Sequence, residues 1–116
     1  MTVGKFRKSK FRNVPTLAGG IRFHSKFEAN RYCELKMAER AGEIRKLERQ
    51  VRFELRAGPN DFVVERYVSD FTYHEKQDGV WVFVCEDVKG FETSDYKRKR
   101  KWMKEVHGIE IREVRL

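Results

Sequence analysis

Two stretches of the chain place apolar residues at helical spacing. The first covers residues 25–41, where Ser25 and Glu28 have the spacing of a capping box and Gly42 suits the end of a helix. The second covers residues 94–107 and separates an apolar stripe from a basic face. The pattern therefore predicts one helix in each half of the chain.

Residues with strand character lie between and after these helices. Residues 44–55, 62–74 and 80–89 are rich in strand-forming residues, and apolar and polar residues alternate over 109–114, which predicts four strands. Turn residues separate the first three at 58–60 and at Asp78-Gly79. Residues 14–23, with Pro15 and Gly19-Gly20, predict a loop or a short hairpin. Residues 80–85 are apolar on both faces, which predicts a central strand covered on both sides.

These elements predict a mixed α/β fold in the order α-β-β-β-α-β. The length of 116 residues suits one domain, and the net charge of +8 favours a polyanionic partner, with nucleic acid as the first candidate. Residues 1–12 form a predicted flexible basic arm that contains Lys5, Arg7, Lys8 and Lys10. No apolar run approaches the roughly 20 residues that span a membrane, and nothing suggests export. Cys33 and Cys85 fit reduced, buried thiols of a cytoplasmic protein.

Two aspartates lie on the arms of the predicted hairpin around Asp78-Gly79. If those two residues form the turn, Gln77 pairs with Val80, and counting outward places Asp70 opposite Asp87. Like charges in directly opposed positions destabilise a sheet, so a retained carboxylate pair indicates a bound cation. Mg²⁺ prefers oxygen ligands and is typically held by one or two carboxylates, water and phosphate. We therefore predict a Mg²⁺ site at Asp70 and Asp87.

Lys89 follows Asp87 by two residues and leaves the strand on the same face, where it could orient a metal-bound water or offset phosphate charge. Glu86 points to the opposite face and is the second choice of ligand, if a bulge exchanges the two acids. Glu28 either caps its helix or adds a third acid to the site, and these roles are compatible. Gln50, on a strand beside the hairpin, could bind phosphate or a metal-bound water, or be an ordinary polar strand residue.

The second helix carries a dense cluster of positive charge. Its apolar stripe would pack on the sheet, which leaves a basic face for contacts to the phosphate backbone. The residues on that face are Lys97, Arg100, Lys101 and Lys104.

Asp70, the run Asp87-Val88-Lys89 and the helical acid Glu28, in this order of elements, resemble the PD-(D/E)xK nuclease superfamily. That superfamily has the restriction-endonuclease-like fold. Ser69 stands where the family name has proline. Residues 20–29 and 42–55 are similar, more narrowly, to small phage-encoded nucleases, some of which are RecU-like Holliday junction resolvases.

The resemblance implies one nuclease domain over residues 13–116 that acts as a homodimer in the host cytoplasm. It implies that Mg²⁺, or alternatively Mn²⁺, is bound by Glu28, Asp70, Asp87 and the backbone carbonyl of Val88. Lys89 would orient or activate the attacking water, and Gln50 would lie near the scissile phosphate. The implied substrate is branched or double-stranded DNA, most specifically a Holliday junction. The alternatives are the same centre acting on flaps, ends or duplex DNA, and a non-catalytic nucleic-acid-binding module.

Overall fold

The computed structural model describes residues 16–18, 20–89 and 92–115. The elements follow one another as β1 (Thr16–Ala18), β2 (Ile21–Phe23), α1 (Lys26–Arg40), β3 (Ile44–Ala57), β4 (Phe62–Gln77), β5 (Val80–Lys89), α2 (Ser94–His107) and β6 (Arg112–Arg115). The predicted mixed α/β class and the order α-β-β-β-α-β are confirmed, and the β1-β2 hairpin precedes them. The predicted basic arm, with Lys5, Arg7, Lys8 and Lys10, lies outside the described residues.

Both ends of α1 are formed by local signals in the sequence. The Ser25 side chain accepts a hydrogen bond from the backbone N–H of Glu28 at 3.1 Å, as the capping pattern predicts. At the other end Gly42 has a φ of +79°, and the N–H of Glu43 donates back to the carbonyl of Ala38 at 2.9 Å. This is a Schellman ending, which favours glycine because L side chains rarely adopt a positive φ.

The four longer strands form one mixed sheet in the order β3-β4-β5-β6. The pairs β3-β4 and β4-β5 are antiparallel, whereas β5 and β6 are parallel. Gln77 pairs with Val80 as predicted, and Asp78 and Gly79 both have positive φ, as in a type I′ turn. The register of the β4-β5 hairpin therefore follows from its turn.

The two helices pack on opposite faces of this sheet. Val84 belongs to the hydrophobic cluster of α1, whereas its neighbour Cys85 belongs to the cluster of α2. Adjacent residues of a strand point to opposite faces, so the sheet lies between the helices. The α1 cluster includes Ala29, Leu35, Phe71 and Tyr73, and the α2 cluster includes Leu55, Tyr67, Tyr96 and Met103.

The beginning of β5 does not have the predicted covering. Val80, Val82 and Phe83 are exposed, and β6 pairs only with residues 86–89. The prediction of a strand buried on both faces over residues 80–85 is correct for Val84 and Cys85 and wrong for residues 80–83, where β5 extends beyond β6. The prediction for the cysteines is also half wrong, since Cys85 is buried but Cys33 is exposed.

A buried ion pair joins α1 to β5. Glu86 is 0% exposed, and its carboxylate oxygens accept hydrogen bonds from Arg31 Nε at 2.7 Å and Nη2 at 2.9 Å. The Tyr73 hydroxyl donates a third hydrogen bond at 2.5 Å. Burial and the adjacent Glu86 raise the pKa of Tyr73 to about 12, and the hydrogen bonds to Glu86 raise the pKa of Arg31. Glu86 is thus a paired, structural carboxylate.

Replacing Arg31 should destabilise the fold strongly. Arg31→Met leaves the Glu86 charge buried without its cation, and breaking such a pair costs about 3–5 kcal/mol. The free energy of unfolding, measured by urea denaturation, should fall by that amount. Arg40→Met, an exposed change in the last turn of α1, is the matched control and should alter the free energy by less than about 0.5 kcal/mol. Equal effects of the two variants would contradict this role of the ion pair.

Candidate functional site

The central strands of the sheet separate at one point. The backbone pairing of β4 with β5 runs from Gln77 and Val80 to Phe71 and Glu86. Beyond that pair β4 remains with β3, whereas β5 pairs with β6. The next residues of the two strands are Asp70 and Asp87. The candidate site therefore lies at a fork in the sheet.

The two aspartates bridge this fork. The backbone N–H of Asp70 donates to Asp87 Oδ1 at 3.0 Å, and the N–H of Val88 donates to Asp70 Oδ2 at 2.9 Å. The side chains thus continue the hydrogen bonding where the backbone ladder ends. The predicted proximity of Asp70, Asp87 and Val88 is present, although the two aspartates are bridged through their side chains and are not a ladder pair.

Asp87 is a desolvated carboxylate. It is 2% exposed and accepts a hydrogen bond from the Tyr67 hydroxyl. Burial raises its pKa from the ordinary value to about 6, while the Lys89 charge and the Asp70 N–H act in the opposite direction. Burial likewise raises the pKa of Asp70, which the Val88 N–H and the Lys89 charge partly oppose. Both carboxyl groups therefore hold a proton more tightly than an exposed aspartate does.

Lys89 supplies part of that charge. Its Nζ lies 3.8 Å from Asp87 Oδ2 and 3.9 Å from the centroid of the Tyr96 ring on α2. The ring holds the ammonium group by a cation–π contact while leaving it partly exposed. Sequence reasoning assigned neither Tyr67 nor Tyr96 to the site, because both occupy core positions; a hydroxyl on a buried apolar stripe was their only signal.

Glu28 takes part in the helix cap and also turns its carboxylate toward the interior. Its backbone serves the helix cap, while its carboxylate is turned inward and the residue is 5% exposed. The Gln50 amide donates to Glu28 Oε2 at 3.2 Å. Burial raises the pKa of Glu28, and the charge of nearby Asp70 raises it further. The structure therefore brings Glu28 and Gln50 to the same region as Asp70.

Gln50 has an unusual backbone conformation. Its φ is +55°, in the left-handed region, where an L residue other than glycine costs about 1–2 kcal/mol. It lies on β3 between the pairs Arg49–Phe71 and Val51–Ser69, which flank Asp70 on the neighbouring strand. Strain of this kind is often found at functional sites. No sequence pattern indicated it.

Glu86 is unavailable as the alternative ligand. Its two oxygens are bonded to Arg31 and Tyr73 on the α1 face of the sheet. Asp87, on the opposite face, is therefore the acid that belongs to the fork.

The donors at the fork suit a hard cation, but they do not enclose one. Within residues 16–18, 20–89 and 92–115, no three His, Cys, Asp or Glu side chains are gathered so that they could hold a metal ion. The adjacent pair, Asp70 and Asp87, offers oxygen atoms only, which matches the preference of Mg²⁺ and its need for just one or two carboxylates. Binding of Mg²⁺ or Mn²⁺ at this pair stays a prediction.

Comparison with known families places the chain in one of them. Residues 8–116 match the profile of the family described as "Protein of unknown function (DUF1064)". The chain belongs to the DUF1064 family. Curated proteins and solved structures give no significant match. Over the described ranges, neither helix of this DUF1064 chain has the length and apolar character needed to cross a membrane.

The predicted basic face of α2 in the DUF1064 chain is only partly free. Lys97 and Lys101 are exposed and form no ion pair with an acid of the described segments. Arg100 Nη1 instead lies 2.5 Å from Glu113, and Lys104 Nζ lies 3.5 Å from Glu110. Lys97 and Lys101 are thus the better candidates for phosphate contacts.

The raised pKa of Asp87 predicts a pH dependence of stability. The folded chain binds this proton more tightly than the unfolded chain. Protonated Asp87 therefore makes its full contribution to the free energy of unfolding below about pH 4. This contribution is lost as pH rises through the folded-state pKa of about 6. Asp87→Asn, which cannot ionise, should therefore gain stability relative to wild type between pH 4.5 and pH 7.5, by about 1–3 kcal/mol in the free energy of unfolding.

The control for this measurement is Asp78→Asn, in the exposed turn, where asparagine suits the positive φ. It should keep the wild-type pH slope. If Asp87→Asn also keeps that slope in urea denaturation, Asp87 is not the desolvated carboxylate described above.

Proposed function

We propose that this DUF1064 chain is a metal-dependent DNA endonuclease that hydrolyses phosphodiester bonds. The observation that carries the proposal is the pair Asp70 and Asp87 at the fork, with Lys89 Nζ 3.8 Å from Asp87. Two carboxylates and an ammonium group next to each other are side chains suited to metal-assisted hydrolysis. The net charge of +8 suits a polyanionic substrate.

The fork favours a cation because it concentrates negative charge away from water. Asp87 is almost fully buried, and Glu28 and Asp70 raise the local charge further. Asp70, Asp87 and the carbonyl of Val88 would hold Mg²⁺ or Mn²⁺, with Glu28 as a further acidic ligand. When bound, the ion would supply Lewis-acid stabilisation of the charge that develops on the scissile phosphate.

The chain's own groups would position the nucleophile and the phosphate. Lys89 is fixed at its base by β5 and at its tip by Asp87 and the Tyr96 ring. From there its ammonium group can donate a hydrogen bond to the attacking water or to a phosphate oxygen. Gln50, held by Glu28, presents a second polar group near the fork and would contact the phosphate.

The narrower proposal is a Holliday junction resolvase of the phage type. It is supported by the resemblance of residues 20–29 and 42–55 to RecU-like nucleases, and it requires a homodimer that cuts two strands symmetrically in the host cytoplasm. Flaps, ends and duplex DNA are the alternative substrates for the same centre.

A second candidate function is a basic nucleic-acid-binding module without catalysis. The observation that favours it is that each aspartate already accepts a backbone hydrogen bond from the opposite strand. These carboxylates could therefore serve only to close the fork. Metal dependence separates this function from the nuclease.

Asp87→Asn should abolish cleavage and leave DNA binding nearly unchanged. The substitution removes a charged ligand but keeps an oxygen that can accept the hydrogen bond from the Asp70 N–H. Cleavage is measured on a labelled four-way junction beside matched flap, duplex and single-stranded DNA, with Mg²⁺ and with EDTA. We expect a loss of at least about 100-fold in rate, of the order of 3 kcal/mol.

Asp78→Asn provides the same chemical change in an exposed turn and should cleave at the wild-type rate. Paired, symmetric nicks on the junction alone would support the resolvase. Cleavage of the flap, duplex or single-stranded DNA as well would support a nuclease with a broader range of substrates. Wild-type protein that binds DNA but cuts nothing with Mg²⁺ or Mn²⁺ supports the binding module.

Removing charge from the free part of α2 should weaken binding of every DNA sequence alike. The double variant Lys97→Ala/Lys101→Ala loses two predicted phosphate contacts, so the slope of log affinity against log salt should flatten by about 2. Fluorescence anisotropy with labelled DNA at several salt concentrations measures this slope. Lys36→Ala/Lys46→Ala removes the same charge outside α2 and should change the slope less. Equal slopes for the two double variants would exclude α2 from the interface.

A further inference from the structure

An exposed aromatic patch lies on the part of the β4-β5 hairpin that extends beyond β6. Phe83 is 44% exposed and pairs across the strands with His74, and their rings meet edge to face with centroids 5.5 Å apart. Trp81 pairs with Lys76 two rows further along the hairpin, on the same face. One residue lies between Phe83 and Trp81, so their Cα atoms are about 7 Å apart.

The patch is on the same face of the sheet as the proposed active site. Phe83, Cys85 and Asp87 alternate along β5 and therefore share a face, opposite to that of Val84 and α1. Four residues of strand separate Phe83 from Asp87, which corresponds to about 13 Å. Cys85, which lies between them, is 1% exposed and belongs to the α2 cluster, so the patch borders a covered part of this face.

Positive charge lies against the Trp81 ring of the patch. The guanidinium of Arg45 lies 4.3 Å from the centroid of the Trp81 ring, and Lys76 Nζ lies 5.7 Å from it. Arg45 also pairs with His74, which places it in the same cross-strand row as Phe83. The neighbouring acids are Glu43, whose carbonyl accepts the Lys76 N–H at 3.1 Å, and Glu75, in the row between the two rings. Glu75 alternates with His74 and Lys76 and so points to the opposite face, where Arg112 donates to it.

We propose that this aromatic patch, formed by Phe83 and Trp81 with Arg45 and Lys76, binds unpaired bases of single-stranded DNA. Aromatic side chains on a sheet surface stack bases without selecting a sequence, and neighbouring cations follow the phosphates. A protein partner would be expected to meet a more uniformly apolar surface, whereas here two cations lie against the Trp81 ring. The inference rests on DNA being the substrate class of the proposed function, but it does not depend on cleavage.

Binding at the patch can be followed by the fluorescence of Trp81. The chain has two tryptophans, and the second, Trp102, is partly buried in the α2 cluster, where its Nε1 donates to the Arg56 carbonyl. In the full chain carrying Trp102→Phe, fluorescence therefore reports on Trp81. Titration with oligothymidylate in EDTA should quench this fluorescence. An abasic oligomer of equal length and charge should cause much less quenching and bind more weakly.

Phe83→Ala in the same background should weaken oligothymidylate binding about tenfold, since stacking contributes about 1–3 kcal/mol per base. Phe83→Tyr, which keeps a ring, should retain the affinity and serves as a check on folding. Phe62→Ala, an equally drastic change at an exposed phenylalanine outside the patch, should have no effect. Equal affinity of Phe83→Ala and Phe62→Ala, or equal binding of the abasic oligomer, would overturn the proposal.

Oligothymidylate binding is measured in EDTA and cleavage in Mg²⁺, so failure of the nuclease and failure of the patch are distinguishable. A further measurement tests whether the patch is instead an interface between copies of the chain. Sedimentation velocity should show the same oligomeric state for wild type and Phe83→Ala. Dissociation of an oligomer by Phe83→Ala, without loss of base stacking, would instead identify the patch as an interface between copies and would overturn the proposal.

Discussion

The candidate site depends on the point where backbone hydrogen bonding between β4 and β5 stops. After Phe71 and Glu86 the two strands separate, and the ladder is replaced by hydrogen bonds between each aspartate side chain and the opposite backbone. An ordinary sheet would keep the carboxylates apart from backbone donors, because those donors would already be paired. The fork frees the N–H groups of Asp70 and Val88, and this holds two acids side by side in a place largely closed to water.

The neighbouring acids Glu86 and Asp87 point to opposite faces of one strand and have different environments. Glu86 faces α1, where Arg31 and Tyr73 satisfy its oxygens and join the helix to the sheet. Asp87 faces the other way, and the ammonium nitrogen of Lys89 lies 3.8 Å from its Oδ2, beyond hydrogen-bond distance. Burial therefore raises the pKa of Asp87 to about 6. A rigid ion pair on one face thus supports a carboxylate of unusual proton affinity on the other.

The two helices complete the site from opposite sides. α1 turns the Glu28 carboxylate inward, where it meets Gln50 on the strained segment of β3. α2 brings the Tyr96 ring under the ammonium group of Lys89. Because these contributions come from three separated parts of the chain, the geometry of the site is as stable as the packing of both helices on the sheet.

The elements that could be predicted are those whose signals are local in the sequence. Ser25 and Gly42 define α1, Asp78-Gly79 defines the turn and register of the β4-β5 hairpin, and that register alone predicts that Asp70 and Asp87 meet. The tertiary structure decided the end of the ladder, the exposure of Phe83, the left-handed conformation of Gln50 and the roles of Tyr67 and Tyr96. Capping and turn preferences act within a few residues, so they can be read from the chain. Burial and pairing depend instead on which distant segments come into contact. Phe83, for example, is exposed because β6 pairs only with residues 86–89 at the end of β5.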